Sequence, residues 1–155
     1  MQKNNLSLIL LLGLFLISCG HNSLKTIDVF HKNKKPSLQT LEKTNTILNK
    51  YKGEYEIAYY VITDSNNVEL LQKYNLPGTH FPFAIVINSN FSAKINHKKI
   101  DFVHFPLFMH GIGRHEGNWS LADLETVLMD NTLLLETNIL PNISENHDDD
   151  EPCSE

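Results

Sequence analysis

Phe83-Ala84-Ile85-Val86-Ile87 contains no polar residue, and this run constrains the fold more than any other stretch of the chain. A half-buried strand alternates polar and apolar side chains, whereas a strand that is apolar throughout has to be covered on both faces. The run therefore predicts a central strand with packed layers on either side. Residues 26–30, β-branched and aromatic, read as a first strand. Residues 57–63 form a second, strongly apolar one. Residues 91–95 and 100–105 form two more around a polar turn at 96–99. Asn88, Ser89 and Asn90 are turn residues that follow the central run.

The helices have their own signals. Pro36 and Ser37 mark a start, since proline suits a first turn and serine caps free amides. Leu38, Leu41, Leu48 and Tyr51 then share one face at near-helical spacing, with Ile47 beside them, until Lys52 and Gly53 end the helix. Asp64 and Ser65 cap a short helix that faces inward through Val68, Leu71 and Tyr74, and Leu76-Pro77-Gly78 breaks it. Ser120, with Asp123 three residues on, opens a last helix whose apolar face is Leu121, Leu124, Val127 and Leu128. The order predicts one α/β domain over 26–140, a central mixed sheet flanked by helices. From residue 141 on, the chain turns polar and acidic through Glu145, Asp148, Asp149, Asp150, Glu151 and Glu155. Such a run repels itself and buries too little surface to order, so 141–155 is expected to be a disordered tail.

The formal charge of −5 and the lack of a basic stripe give nucleic acid no footing as a partner. Lys32, Lys34 and Lys35 are better explained as a solvated loop than as an anion site.

The amino terminus carries an address. Lys3 supplies a positive start, Leu6 to Ile17 contains no charge, and Ser18 precedes Cys19. That layout is a secretory signal, and it is too short to span a bilayer, which takes about 20 apolar residues. Leu16-Ile17-Ser18-Cys19 resembles a bacterial lipobox. The resemblance implies that residues 1–18 are removed, that Cys19 is lipidated with a palmitate-class chain, and that 19–25 tether an exported domain to a membrane. Gly20, rather than Asp, after the cysteine favours the outer membrane in a two-membrane envelope. Two cysteines occur, Cys19 and Cys153. With Cys19 lipidated, one thiol is left and no internal disulfide can form.

Strand, helix, strand, helix, apolar strand, hairpin and helix is the order of a thioredoxin-like domain, and two places carry the resemblance. Phe81-Pro82 stands directly before the central run, where that family has a cis proline opposite its redox site. The loop into the first helix reads Lys34-Lys35-Pro36-Ser37, where a working thioredoxin has Cys-x-Pro-Cys. The proline is present and both cysteines are absent. Dithiol exchange needs an attacking thiolate and a resolving thiol, so the resemblance implies a redox-inactive domain. Pro82 then serves either as a fold-determining turn or, with Phe81, as the wall of a groove for an extended peptide.

A long loop over 106–119 is the remaining candidate surface, because long connectors are more often functional than short ones. It contains Met109, His110, Arg114, His115 and Trp119, with Trp119 and Phe108 expected to pin it to the core and Arg114 and Glu116 to form a rim pair. Its glycines precede neither a Lys-Ser/Thr pair nor an immediate helix start, so it is no phosphate loop. The chain has eight histidines. Imidazoles with a thioether or carboxylate can hold a transition metal, and His110 and His115, with Met109 or Glu116 and closed by His80 or His104, are the candidate ligands. Their spacing fits no standard zinc pattern, and ordinary hydrogen-bonding histidines are the plainer reading. His31, His97 and His147 are expected at the surface. The sequence thus predicts a membrane-anchored binding or scaffolding module of the cell envelope, with a protein or peptide partner, no cofactor and no catalytic residue. A histidine-based metal-binding protein or enzyme is the alternative.

Overall fold

The computed structural model describes residues 25–109 and 115–140; Cys19, the expected signal segment 1–18, His110, Arg114 and the acidic tail with Cys153 and His147 lie outside them. The described elements are β1 (Lys25–His31), α1 (Lys35–Leu48), β2 (Tyr55–Val61), α2 (Val68–Lys73), β3 (Phe83–Ile87), β4 (Ser92–Ile95), β5 (Lys98–Asp101) and α3 (Leu121–Met129). The class is mixed α/β, as the sequence predicts.

β1 is the middle strand of a three-stranded sheet in the order β2-β1-β3. It runs parallel to β2, with Lys25 opposite Tyr55 and His31 opposite Val61. It runs antiparallel to β3, with Ile27 opposite Ile87 and His31 opposite Phe83. All five residues of β3 are buried, because the sheet is covered on both faces. On one face Ile27, Val29, Phe83, Ile85 and Ile87 pack against Ile47 and Leu48 of α1, Trp119, and Leu124, Val127 and Leu128 of α3. On the other, Phe30, Ala84 and Val86 pack against Leu71, Tyr74, Leu76 and Phe81.

The hairpin departs from the expected strands. Its turn is two residues, Asn96 and His97, both at positive φ (48° and 65°), the geometry whose twist suits a tight hairpin. β5 therefore starts at Lys98 and ends at Asp101. The chain then leaves β4 and joins β3: Ile85 N donates to Phe102 O at 2.8 Å, and His104 N to Phe83 O at 2.8 Å. One expected strand over 100–105 is thus shared between two partners.

Two helix faces also differ from expectation. In α1 the buried residues are Ser37, Thr40, Thr44, Ile47 and Leu48, while Leu38 is 40% exposed. The threonine hydroxyls bond back up the helix, Thr40 to Pro36 O at 3.1 Å and Thr44 to Thr40 O at 2.6 Å. Satisfied in this way, the threonines can be buried without leaving a hydroxyl unpaired. Val68, first residue of α2, is 44% exposed rather than inward. The last helix matches its signal, with Ser120 and Asp123 forming a reciprocal capping box.

Asp28 lies mid-strand in β1 and is only 8% exposed. The Tyr74 hydroxyl donates to its carboxyl group, and Phe30 lies between stacked Tyr60 and edge-on Tyr74 at 5.2 and 6.0 Å. Burial, then the bond to Asp28, raises the Tyr74 phenol above its ordinary value of 10.0. The folded chain therefore holds this proton longer than the unfolded chain. The associated stability is complete below pH 10 and is lost as pH rises further. Tyr74→Phe removes one hydrogen bond from the buried Asp28 carboxyl and is expected to cost about 1–2 kcal/mol. Urea unfolding near neutrality reads that loss, and the alkaline decline of the midpoint is shallower in the variant.

Candidate functional site

β1 ends at His31, and the next residues reach the two places that carry the thioredoxin resemblance. Lys32 N donates to Ser37 Oγ at 2.9 Å and approaches Pro82 O at 3.3 Å. The Ser37 hydroxyl donates to Pro82 O at 2.9 Å. The start of α1 and the segment before β3 are therefore joined, 45 residues apart in sequence. Ser37 does not cap the helix; Lys34 is the N-cap and makes no side-chain cap bond. Ser37 is instead buried inside the first turn, where it fills the space between α1 and Pro82.

Pro82 departs from the family pattern. The described chain has no cis peptide bond, so the Phe81–Pro82 bond is trans. Phe81 and Pro82 are both buried, and the Pro82 carbonyl is engaged by Ser37. Their side chains belong to the core, and the solvent-facing part of this junction is Lys34, Lys35 and Pro36.

The loop over 106–119 rises beside it, its two arms held together by backbone. Phe105 N donates to His115 O at 2.8 Å, Gly117 N to Phe105 O at 2.7 Å, and Leu107 N to Trp119 O at 2.8 Å. The arms lie too close for a side chain at Gly117: a Cβ there would sit 2.4 Å from Val103 O. Glu116 accepts from Phe108 N; Arg114, its expected rim partner, lies outside the described residues. Trp119 is fully buried, as predicted, but Phe108 is not the second pin. It is 90% exposed, at φ +60°, with Leu107 exposed and Met109 half-buried beside it.

The histidines divide. His104, at φ +69°, stacks on His115 with ring centroids 6.3 Å apart and planes 12° apart. His80 is exposed on the Pro77–His80 turn. Among the described residues, no three His, Cys, Asp or Glu side chains form a group able to hold a metal ion. His31, expected at the surface, is half-buried at the end of β1. The sequence hid it because it follows four buried residues in a strand that looked to end before it.

One pattern has no counterpart in the sequence. The buried side-chain atoms without a hydrogen-bond partner among the described residues are Nδ1 of His31, Nδ1 of His104 and Nε1 of Trp119. All three residues adjoin Phe83. His31 is its partner in β1, His104 bonds its carbonyl, and Trp119 stacks on its ring at 6.5 Å. Buried polar groups are normally satisfied, so these three nitrogens are exceptions gathered around one residue.

Burial, and then the neighbouring His115, lowers the His104 imidazole below its ordinary value of 6.5. The folded chain thus resists a proton that the unfolded chain accepts. Stability tied to this group is present above pH 6.5 and is lost as pH falls through the lower folded value. Acidification below 6.5 is expected to lower the protection of the Phe105, Leu107 and Gly117 amides relative to their intrinsic exchange rates at each pH, and His104→Gln to flatten that response. No protein-family model, no curated protein and no solved structure matches this chain.

Proposed function

We propose that this chain is an exported lipoprotein, anchored through Cys19, whose thioredoxin-like domain has given up dithiol chemistry and holds a protein or peptide partner in the cell envelope. The observation that carries the reading is the bond from Ser37 Oγ to Pro82 O at 2.9 Å. It joins the two segments on which the resemblance rests, with serine at the position of the resolving cysteine and Lys34 at that of the attacking one. The strand order supports the same reading: β2 parallel to β1, β3 antiparallel to it, and the Phe102–His104 stretch beside β3. The anchor rests on the amino-terminal sequence alone.

The partner surface is the end of the sheet where β1 leaves at His31: Lys34, Lys35 and Pro36, the His104–His115 stack, and the exposed Leu107 and Phe108. Aromatic side chains that stand free on a braced loop are the usual anchors of an interface. The tether joins at Lys25, six residues away along β1, or about 20 Å at the rise of a strand. Anchor and partner surface therefore do not compete. A photo-cross-linking residue in place of Phe108 is expected to capture a discrete envelope protein in intact cells, while the same residue in place of Met129, itself 69% exposed, captures none. Equal labelling at the two positions overturns the surface, and dithiol–disulfide turnover by the purified chain overturns redox inactivity.

The His104–His115 stack favours one second reading, a metal held by histidines of this loop. Its expected result is one zinc or copper ion per chain, lost in the His110→Ala/His115→Ala variant. Unchanged behaviour with metals removes it.

A further inference from the structure

β2 is an edge strand, and no described residue pairs with its outer side. It is seven residues long and reads Tyr-Glu-Ile-Ala-Tyr-Tyr-Val. Edge strands are ordinarily blunted by lysine, proline, bulges or shortness. The hairpin of this protein follows that rule, with four-residue strands bearing Lys94, Lys98 and Lys99. β2 has none of these devices and carries a single charge, Glu56. Tyr59, 42% exposed, stands on it.

The free backbone groups can be assigned. Ile62 N donates to His31 O at 2.9 Å. In a parallel ladder the groups alternate sides, so Glu56, Ala58 and Tyr60 bond β1, and Tyr55, Ile57, Tyr59 and Val61 turn their N–H and C=O outward. The Val61 carbonyl is taken by Asp64 N at 3.1 Å and Asn67 Nδ2 at 2.9 Å. The rest form an open row of alternating donors and acceptors.

We propose that this edge pairs with β2 of a second copy of the chain, antiparallel and centred on Ala58, so that two sheets become one. Ala58 is the midpoint of β2, so this register overlaps the whole strand. Ile57 then exchanges both backbone bonds with Tyr59 of the partner subunit, and Tyr55 lies opposite Val61 of the partner subunit. The two-fold axis passes between the smallest side chains of the strand, Ala58 and its copy, where a non-hydrogen-bonded pair brings strands closest. The charges are compatible: Glu56 faces Tyr60 of the partner subunit, and the two Glu56 carboxylates are four positions apart. A self-match in hydrogen bonds, size and charge together selects a second copy over an unrelated peptide.

The test uses the full chain in detergent micelles, carrying Cys153→Ser. Ala58→Cys in that background is expected to form a covalent dimer on mild oxidation, because paired Cα atoms at such a site, about 4.5 Å apart, fall inside the disulfide range. Glu56→Cys is expected to form none. Tyr59→Pro removes an outward donor and no bond to β1, so it is expected to halve the sedimentation mass while circular dichroism is unchanged. Failure of Ala58→Cys to cross-link, cross-linking equally at 56 and 58, or a mass unmoved by Tyr59→Pro overturns the proposal. The first variant needs no change of backbone, so its result stands even where the proline variant unfolds.

Discussion

Trp119→Ala is expected to lower the stability of the domain by about 3–5 kcal/mol, the range for removing a large aromatic side chain from a core. Trp119 is fully buried among residues from both ends of the chain. Its ring lies nearly parallel to Phe83, 17° between planes, and edge-on to Phe102 at 5.4 Å and 77°. No single neighbour can collapse into the space, since Phe83 is fixed in β3 and Phe102 crosses from the hairpin to β3. The backbone of Trp119 also accepts from Leu107 N and so closes the exposed loop. A domain of this kind has only about 5–15 kcal/mol to lose, so the variant sits close to its unfolding threshold. Urea unfolding followed by far-ultraviolet circular dichroism measures the effect. Trp119→Phe is expected to lose less than half as much, because it keeps the ring stack and removes an indole N–H that has no partner among the described residues. A loss under about 1 kcal/mol for the alanine variant, the scale of an ordinary surface change, would show that Trp119 does not organise this core.

Cys19→Ala is expected to abolish palmitate incorporation and to move the protein from the membrane pellet to the soluble fraction. Acyl chains bind bilayers with about 0.8 kcal/mol per buried methylene, and the proposed lipid would be carried on the Cys19 sulfur alone. Among the described residues no helix is long and apolar enough to cross a membrane, so nothing described replaces the lipid. The fold is expected to be unaffected, since Lys25 is already paired with Tyr55 in the sheet and Cys19 lies before it. Thermal melting of the released variant should superimpose on that of the detergent-solubilised parent. Membrane retention of Cys19→Ala would overturn the anchor and leave the domain reading intact, because the two rest on different residues.

Most of the elements were legible in the sequence, for a reason that also explains the misses. β3 was visible because burial on both faces removes all polarity from a strand. α3 was visible because Ser120 and Asp123 make a local, reciprocal cap. α1 was located correctly but its inner face was misassigned: threonine reads as polar, yet Thr40 and Thr44 satisfy their hydroxyls within the helix and bury their methyl groups. The end of β5 was misplaced because Phe102 changes partners, and side-chain periodicity does not say which neighbour a strand bonds. The site was less legible still. Trp119 was expected inside and is; Phe108, equally apolar, stands out in solvent. His31 looked like a surface residue and instead lies half-buried beside Phe83.

The sequence alone determined the class of this protein: an α/β domain built on one apolar strand, with no cysteine between Cys19 and Cys153. These are properties of residue type and spacing, and local chemistry is sufficient for them. Only the tertiary structure decided that Ser37 touches Pro82, that three nitrogens without a partner among the described residues surround Phe83, and that no described residue pairs with the outer side of β2. Each is a relation between segments far apart in the chain, set by which strands lie adjacent, and no local pattern encodes adjacency.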